Sequence, residues 1–137
     1  MSYHVSPLDA CAMAIFMFEG ARSAHPDVRC IRNNNPGNLR PYLPSQEHDD
    51  DNYRVFPSFS AGWTSLEQDI AFKLQHHLAP IQTLLDFLNL YAPAGDNNNP
   101  TEYAQFVCAW MTSALGKAIT TATAIRDIFE IPGVSTQ

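Results

Sequence analysis

Residues 31–40 read IRNNNPGNLR, with four asparagines, one proline and one glycine. Asparagine side chains bond to nearby backbone and favour local turns, and Pro36–Gly37 is a typical turn dipeptide, so this stretch predicts a loop. Two short extended segments follow it, Asn38–Tyr42 and Tyr53–Phe56, and the polar, acidic stretch LPSQEHDDDN lies between them. Together these features predict a small antiparallel β-hairpin with a long solvated loop.

Helical patterns lie on both sides of this region. Before it, Ser6 is a preferred N-cap residue, Pro7 occupies the first helical position, and Gly20 supplies a C-terminal stop. After it, apolar residues recur every three to four positions, which is typical of helices. These further helices are predicted over residues 61–78, 81 to about 91, 100–116 and about 120–130. The predicted fold class is therefore mainly α (α+β), with about five helices and one small β-hairpin after the first helix.

Composition narrows the functional classes. The chain of 137 residues has room for a single domain, residues 1–137. Its 45% hydrophobic and 16% charged residues exclude intrinsic disorder and a coiled coil. The longest apolar run, Ala10–Phe18, is shorter than the roughly 20 residues of a transmembrane helix, so we expect no membrane insertion. With a net charge of −6 and 8 scattered Lys and Arg residues, the chain also lacks the basic stripe that nucleic acid requires.

One carboxylate stands out against this low charge density. The apolar face of the first helix, marked by Leu8, Cys11 and Ile15, continues four residues later into Glu19. Burial disfavours the charged form of a carboxyl group and raises its pKa, and such a group can protonate a leaving-group oxygen near neutral pH. The alternative is an ordinary ion pair between Glu19 and Arg22, three residues further on.

The segments around Glu19 resemble a known family. The first helix ends in EG, the loop continues as RNNNPGNLR, the predicted hairpin contains YRVFPSF, and GW opens the next helix. This order resembles the lysozyme-like superfamily, in particular its phage-associated and bacterial lytic branch. The later stretch YAPAGDNNNPTEYAQFV, residues 91–107, is similar to a further segment of that branch. The resemblance covers roughly residues 11–107 and is most specific from Asn33 to Arg40.

The resemblance implies a lysozyme-like fold and cleavage of the β-1,4 bond between N-acetylmuramic acid and N-acetylglucosamine in peptidoglycan. Glu19 matches the general acid of the family. No second acid stands out, which slightly favours a lytic transglycosylase, in which one Glu acts as acid and then base, over a muramidase. The candidate second acids are Glu47, Asp49, Asp50, Asp51, Glu67, Asp69, Asp96 and Glu102.

Five residues are candidates for substrate binding, each with a structural alternative. Asn38 could bind a sugar or orient Glu19, or simply serve the turn. Tyr103 matches a Tyr that faces the catalytic Glu in related transglycosylases, or packs in the core. Tyr91 matches a Tyr of the family's YNAG segment, although Ala92 replaces the Asn there. The remaining two are Phe56, which could flank a sugar ring or belong to the core, and Arg40, which could contact muramyl carboxylates or pair within the fold.

We expect no metal and no cofactor. His76 and His77 are adjacent and point to different sides of a helix, and Cys11, Cys30 and Cys108 lack the close spacing of a zinc site. The three cysteines are predicted as buried thiols, and a disulfide between Cys30 and Cys108 remains open.

The partner and location follow from the implied substrate. The expected partner is the glycan strand of peptidoglycan, without nucleic acid. The protein would act in the periplasm or cell wall. The first nine residues carry no Lys or Arg, so we expect no secretory signal. Delivery by a phage particle or injection system is one route, with the protein otherwise cytoplasmic before release. The alternatives are a glucosaminidase and a non-catalytic lysozyme-like module of a phage particle or secretion machine.

Overall fold

The computed structural model describes residues 5–20, 28–79, 81–92 and 99–129. The predicted mainly helical class is confirmed for this part of the chain. The elements, in order, are α1 (Pro7–Glu19), α2 (Arg29–Arg32), α3 (Phe59–His76), α4 (Leu84–Tyr91), α5 (Pro100–Leu115) and a short 3-10 helix (Ile125–Asp127).

Local sequence signals fix the helix ends. The Ser6 side chain caps α1 by accepting a hydrogen bond from the Asp9 backbone. Thr83 and Asp86 bond reciprocally at the start of α4, which satisfies two backbone donors that a helix N-terminus leaves free. Gly116 ends α5 in the left-handed conformation, at φ 67°, where glycine carries no steric penalty.

The core lies where α1 packs against α5 and α3, and where α4 packs against α5. Its largest fully buried side chains include Tyr103, Phe87, Ile15, Leu66 and Ile70. Burying a large apolar side chain contributes about 1.5–3 kcal/mol, so this shared core holds the helices together. None of the helices in the described ranges is long and apolar enough to cross a membrane.

The predicted β-hairpin is wrong for the described residues. The segments Asn38–Tyr42 and Tyr53–Phe56 form no strands, and this region holds one isolated antiparallel bridge, between His48 and Arg54. Asn38 begins the first segment with a positive φ of 50°, which is outside the extended range, and the buried side chain of Asn35 lies between the two segments. Its amide group donates to the carbonyls of Leu39 and Arg54, both at 2.9 Å, and its oxygen accepts from the Leu39 backbone at 2.9 Å. This side chain thus bonds to both segments, beside the backbone hydrogen bond that the Leu39 carbonyl accepts from Arg54 at 2.8 Å.

The predicted helices differ at two further points. The loop was expected to include residues 31 and 32, but these belong to the single turn α2, Arg29–Arg32. The helix predicted over about 120–130 is only the 3-10 turn Ile125–Asp127. Threonine hydroxyls take up nearby backbone groups, as when Thr123 accepts from the Thr120 backbone at 2.9 Å, and Ala124 pairs with Thr83 at the start of α4. These contacts hold the segment in a non-helical conformation.

The cysteines lie buried as free thiols, one each in α1, α2 and α5. The disulfide between Cys30 and Cys108 is therefore not formed.

Candidate active site

A cavity of about 440 Å³ opens at the C-terminal end of α1. The connecting loop, which we define as residues 33–58, covers one side of it, and α3 and α4 form the other side. Polar side chains that line this cavity, hereafter the cleft, include Glu19, Asn38, Tyr42, Asp69, Lys73 and Tyr91. The cleft thus brings together residues from four separate parts of the chain.

Glu19 is held from both sides. Its Oε2 accepts a hydrogen bond from Asn38 Nδ2 at 2.9 Å, and its Oε1 accepts one from the Tyr103 hydroxyl at 3.0 Å. The predicted ion pair with Arg22 lies outside the described residues. Each carboxylate oxygen therefore has a donor, and the carboxyl group is fixed in one orientation toward the cleft.

Burial raises the pKa of Glu19 above that of an ordinary glutamate. The two hydrogen bonds, from Asn38 and Tyr103, and the positive charge of Arg29 act in the opposite direction without cancelling it. Burial and the neighbouring charge of Glu19 also raise the pKa of Tyr103 well above its usual range, so its hydroxyl remains a neutral donor. The site therefore suits a carboxyl group that holds its proton and can also be stabilised after losing it.

Asn38 is placed for a second contact. Its backbone has a positive φ of 50°, which asparagine tolerates better than most residues. The side-chain amide points at Glu19, while its Oδ1 is buried and has no hydrogen-bond partner among the described residues. A buried acceptor without a partner is unfavourable, so a bound hydroxyl or amide group would satisfy it.

Tyr91 joins the loop to α4. Its hydroxyl donates to the Gly37 carbonyl at 2.6 Å. Gly37 leaves no room for a side chain, because an added Cβ would collide with that hydroxyl and with Leu66. Tyr91 therefore both lines the cleft and fixes the turn that presents Asn38 to Glu19.

The cleft contains a further polar cluster that the sequence did not indicate. Asp69, only 5% exposed, accepts from Lys73 Nζ at 2.6 Å on both oxygens and from the Tyr42 hydroxyl at 2.8 Å. Burial and the contact with Asp69 raise the pKa of Tyr42 to about 12. The spacing of four residues between Asp69 and Lys73 was the only available signal, since Tyr42 is 27 residues distant.

The other two predicted binding residues are placed differently. Arg40 is at the rim of the cleft, where it donates to the backbone carbonyls of Asp51 and Asn52 and to the Tyr53 hydroxyl. The prediction that Phe56 flanks a sugar does not fit its position. Phe56 is buried, the Arg54 guanidinium lies 4.3 Å from its ring centroid, and it does not line the cleft.

Of the candidate second acids within the described ranges, Asp69 alone lines the cleft with Glu19; Asp96 lies outside those ranges. Asp49 instead anchors the connecting loop. Although burial raises its pKa, hydrogen bonds from the Tyr53 backbone and from Asn33, with the nearby charge of Arg29, lower it overall. Its carboxylate is therefore used in folding the loop.

No group of three or more His, Cys, Asp and Glu side chains within the described ranges could hold a metal ion. Comparison of the chain with protein-family models, with curated proteins and with solved structures gives no match.

Proposed function

We propose that this protein cleaves the β-1,4 bond between N-acetylmuramic acid and N-acetylglucosamine in peptidoglycan, with Glu19 as the general acid. The observation that carries the proposal is a carboxyl group of raised pKa, facing a cleft and fixed by Asn38 and Tyr103. The motif resemblance around RNNNPGNLR supplies the substrate class.

In the proposed reaction, Glu19 gives its proton to the bridging oxygen as the bond from that oxygen to C1 of the muramic acid breaks. The bonding electrons stay with the oxygen, which leaves as a hydroxyl group, and oxocarbenium character develops at C1. The hydrogen bonds from Asn38 and Tyr103 stabilise the carboxylate that Glu19 becomes. These donors thus favour the charged state that forms during proton transfer.

We favour a lytic transglycosylase for the second half of the reaction. The 6-hydroxyl of the same muramic acid attacks C1, its proton passes to Glu19, and a 1,6-anhydro ring results. The state of Asp69 supports this choice over a muramidase. Both of its oxygens are engaged by Lys73 and one also by Tyr42, so they are poorly placed to activate a water.

The decisive variant is Glu19→Gln, with Glu102→Gln, an exposed residue of α5, as the matched control. Glu19→Gln should abolish clearing of purified cell walls, whereas Glu102→Gln should clear them like wild type. The melting temperature of Glu19→Gln should stay constant or rise at neutral pH. The raised folded-state pKa makes ionised Glu19 unfavourable to folding, and that penalty is absent at pH values below the unfolded pKa. Unchanged wall clearing by Glu19→Gln would rule out the proposal.

The products decide the reaction type. Mass spectrometry of the released muropeptides should show anhydro-muramyl ends. Reducing muramic acid ends would instead identify a muramidase, and reducing glucosamine ends a glucosaminidase.

A second candidate is a non-catalytic lysozyme-like module docked in a phage particle or secretion machine. The net charge of −6 favours it, because an anionic wall repels an acidic protein. It predicts wild-type protein that binds glycan oligomers and never turns them over.

A further inference from the structure

A second groove of about 420 Å³ lies beside the cleft, on the other side of Tyr42. The two share Leu39, Tyr42 and Asp69 as lining residues. The groove, hereafter the Arg54 groove, also includes Arg54 and Phe72. The wall between the cleft and the Arg54 groove is therefore formed by the Tyr42 hydroxyl and Asp69, which are in contact at 2.8 Å. A ligand in the cleft that carries a side branch has a path over this wall.

The Arg54 groove contains a cation, Arg54, that has no ionic partner among the residues the structure describes. Arg29 and Lys73 each have a carboxylate within ion-pair distance, but in the described part of the chain Arg54 has none. Its guanidinium lies over the Phe56 ring, and its Nε is buried without a hydrogen-bond partner. The neighbouring Asp69 is already neutralised by Lys73. In a chain of net charge −6, such a cation is an unused site for an anion.

The rim of the groove offers apolar surface. The Phe72 side chain on α3 is 54% exposed, and Tyr42 is 69% exposed although its hydroxyl is bonded to a buried carboxylate. A groove that is lined by an arginine and by two exposed aromatic rings suits a flexible chain that has both carboxylate and apolar groups. A neutral sugar would provide no negative charge to pair with Arg54.

We propose that the Arg54 groove binds the carboxylate-bearing substituent of a muramyl residue whose sugar lies in the Glu19 cleft. This inference rests on the proposed function and deepens it. It makes the protein selective for acidic muramyl glycans over neutral N-acetylglucosamine polymers. The carboxylate can come from the lactyl group itself or from the peptide attached to it.

The test measures binding in the Glu19→Gln background, in which ligands are not consumed. Three oligomers of equal length are compared by calorimetry: a neutral N-acetylglucosamine oligomer, a peptide-free muramyl oligomer, and the same muramyl oligomer with its peptides. Arg54→Gln should weaken binding of at least one muramyl ligand roughly tenfold and leave the neutral oligomer within about twofold. The affected ligand identifies the source of the carboxylate.

Two controls keep the result specific. Arg126→Gln makes the same charge change at a residue that lines neither cavity, and should alter no affinity. Since Arg54 also packs on Phe56, Arg54→Lys provides a second variant that keeps the charge and should retain part of the preference for muramyl ligands. Raising the salt concentration should reduce the preference of the Glu19→Gln protein for the muramyl ligands.

An equal effect of Arg54→Gln on all three ligands, or no effect on any, would overturn this inference and leave the proposed function standing. Failure of the Glu19→Gln protein to bind any of the three would overturn both.

Discussion

The carboxyl group of Glu19 owes its properties to its position at the last residue of α1. There the apolar face of the helix still shields it, while Asn38 and Tyr103 approach from outside the helix. With burial alone, the pKa of Glu19 would be so high that the group would rarely ionise. With the two hydrogen-bond donors alone, its pKa would not be raised. The observed combination keeps the pKa raised but the charged form accessible, as an acid that later acts as a base requires.

The first prediction at this scale concerns pH. Activity requires protonated Glu19, so it should fall as the pH rises through the pKa of this residue. The Tyr103 hydrogen bond lowers that pKa, and Tyr103→Phe should therefore move the alkaline limb of the pH–rate profile to higher pH. Tyr53→Phe is the matched control, because its hydroxyl accepts from Arg40 and does not act on Glu19. A limb that stays in place in Tyr103→Phe would show that another group controls it.

The sequence contained enough information to find these residues but not all their neighbours. Glu19 was identified by its position on an apolar face, and Asn38 and Tyr103 by their place in the motif resemblance. Tyr42, Asp69 and Lys73 form a cluster that only folding brings together. Such a contact, between a loop and a helix with no shared periodicity, leaves no pattern in the chain.

At the scale of elements, the helices that begin at strong caps were predictable and the connecting loop was not. Ser6, Thr83 and Asn99 each accept a backbone hydrogen bond at the start of a helix, a role readable from residue type. The loop has the composition of a hairpin, but its geometry depends on side chains that bond to the backbone, with the buried amide of Asn35 and the carboxylate of Asp49 among them. No propensity scale distinguishes this Asn from the turn residues beside it.

The second prediction tests that amide. Asn35→Asp keeps the shape but replaces the two donated hydrogen bonds with a charge facing the carbonyls of Leu39 and Arg54. We expect a loss of roughly 3 kcal/mol in the free energy of unfolding, or about 10 °C in melting temperature. The loss should shrink at low pH, where the new acid is protonated.

The matched control is Asn89→Asp, the same change at an exposed position of α4, where we expect less than about 1 kcal/mol. Equal melting temperatures for the two variants would mean that the Asn35 side chain does not organise the loop.

At the scale of the whole molecule, charged side chains differ in whether they are paired within the fold or face a cavity. The cations Arg29 and Lys73 are paired with carboxylates that hold the loop and the cleft wall, and Arg54 faces a groove. The excess negative charge is exposed in part at the connecting loop, on Glu47 and Asp50.

The reactivity of the three thiols depends on how the surrounding structure unfolds. Burial raises the pKa of Cys11 to about 12 and that of Cys30 to about 11, and it also raises that of Cys108. A buried thiol of raised pKa reacts slowly, because the reagent needs both access and the thiolate. Cys11 and Cys108 belong to the core where α1 packs against α5, so their exposure requires these helices to separate, whereas Cys30 lies buried on α2 outside that core.

The last prediction is therefore that native protein at about pH 8 labels at Cys11 and Cys108 with one rate, which rises with denaturant as steeply as global unfolding does. Protein unfolded without reductant should titrate 3 thiols, and a single remaining thiol would instead reveal a disulfide. Quantifying each labelled peptide by mass spectrometry separates the sites. If Cys30 labels ahead of Cys11 and Cys108, then α2 and its loop open on their own, and the support under Asn38 is less stable than the helical core.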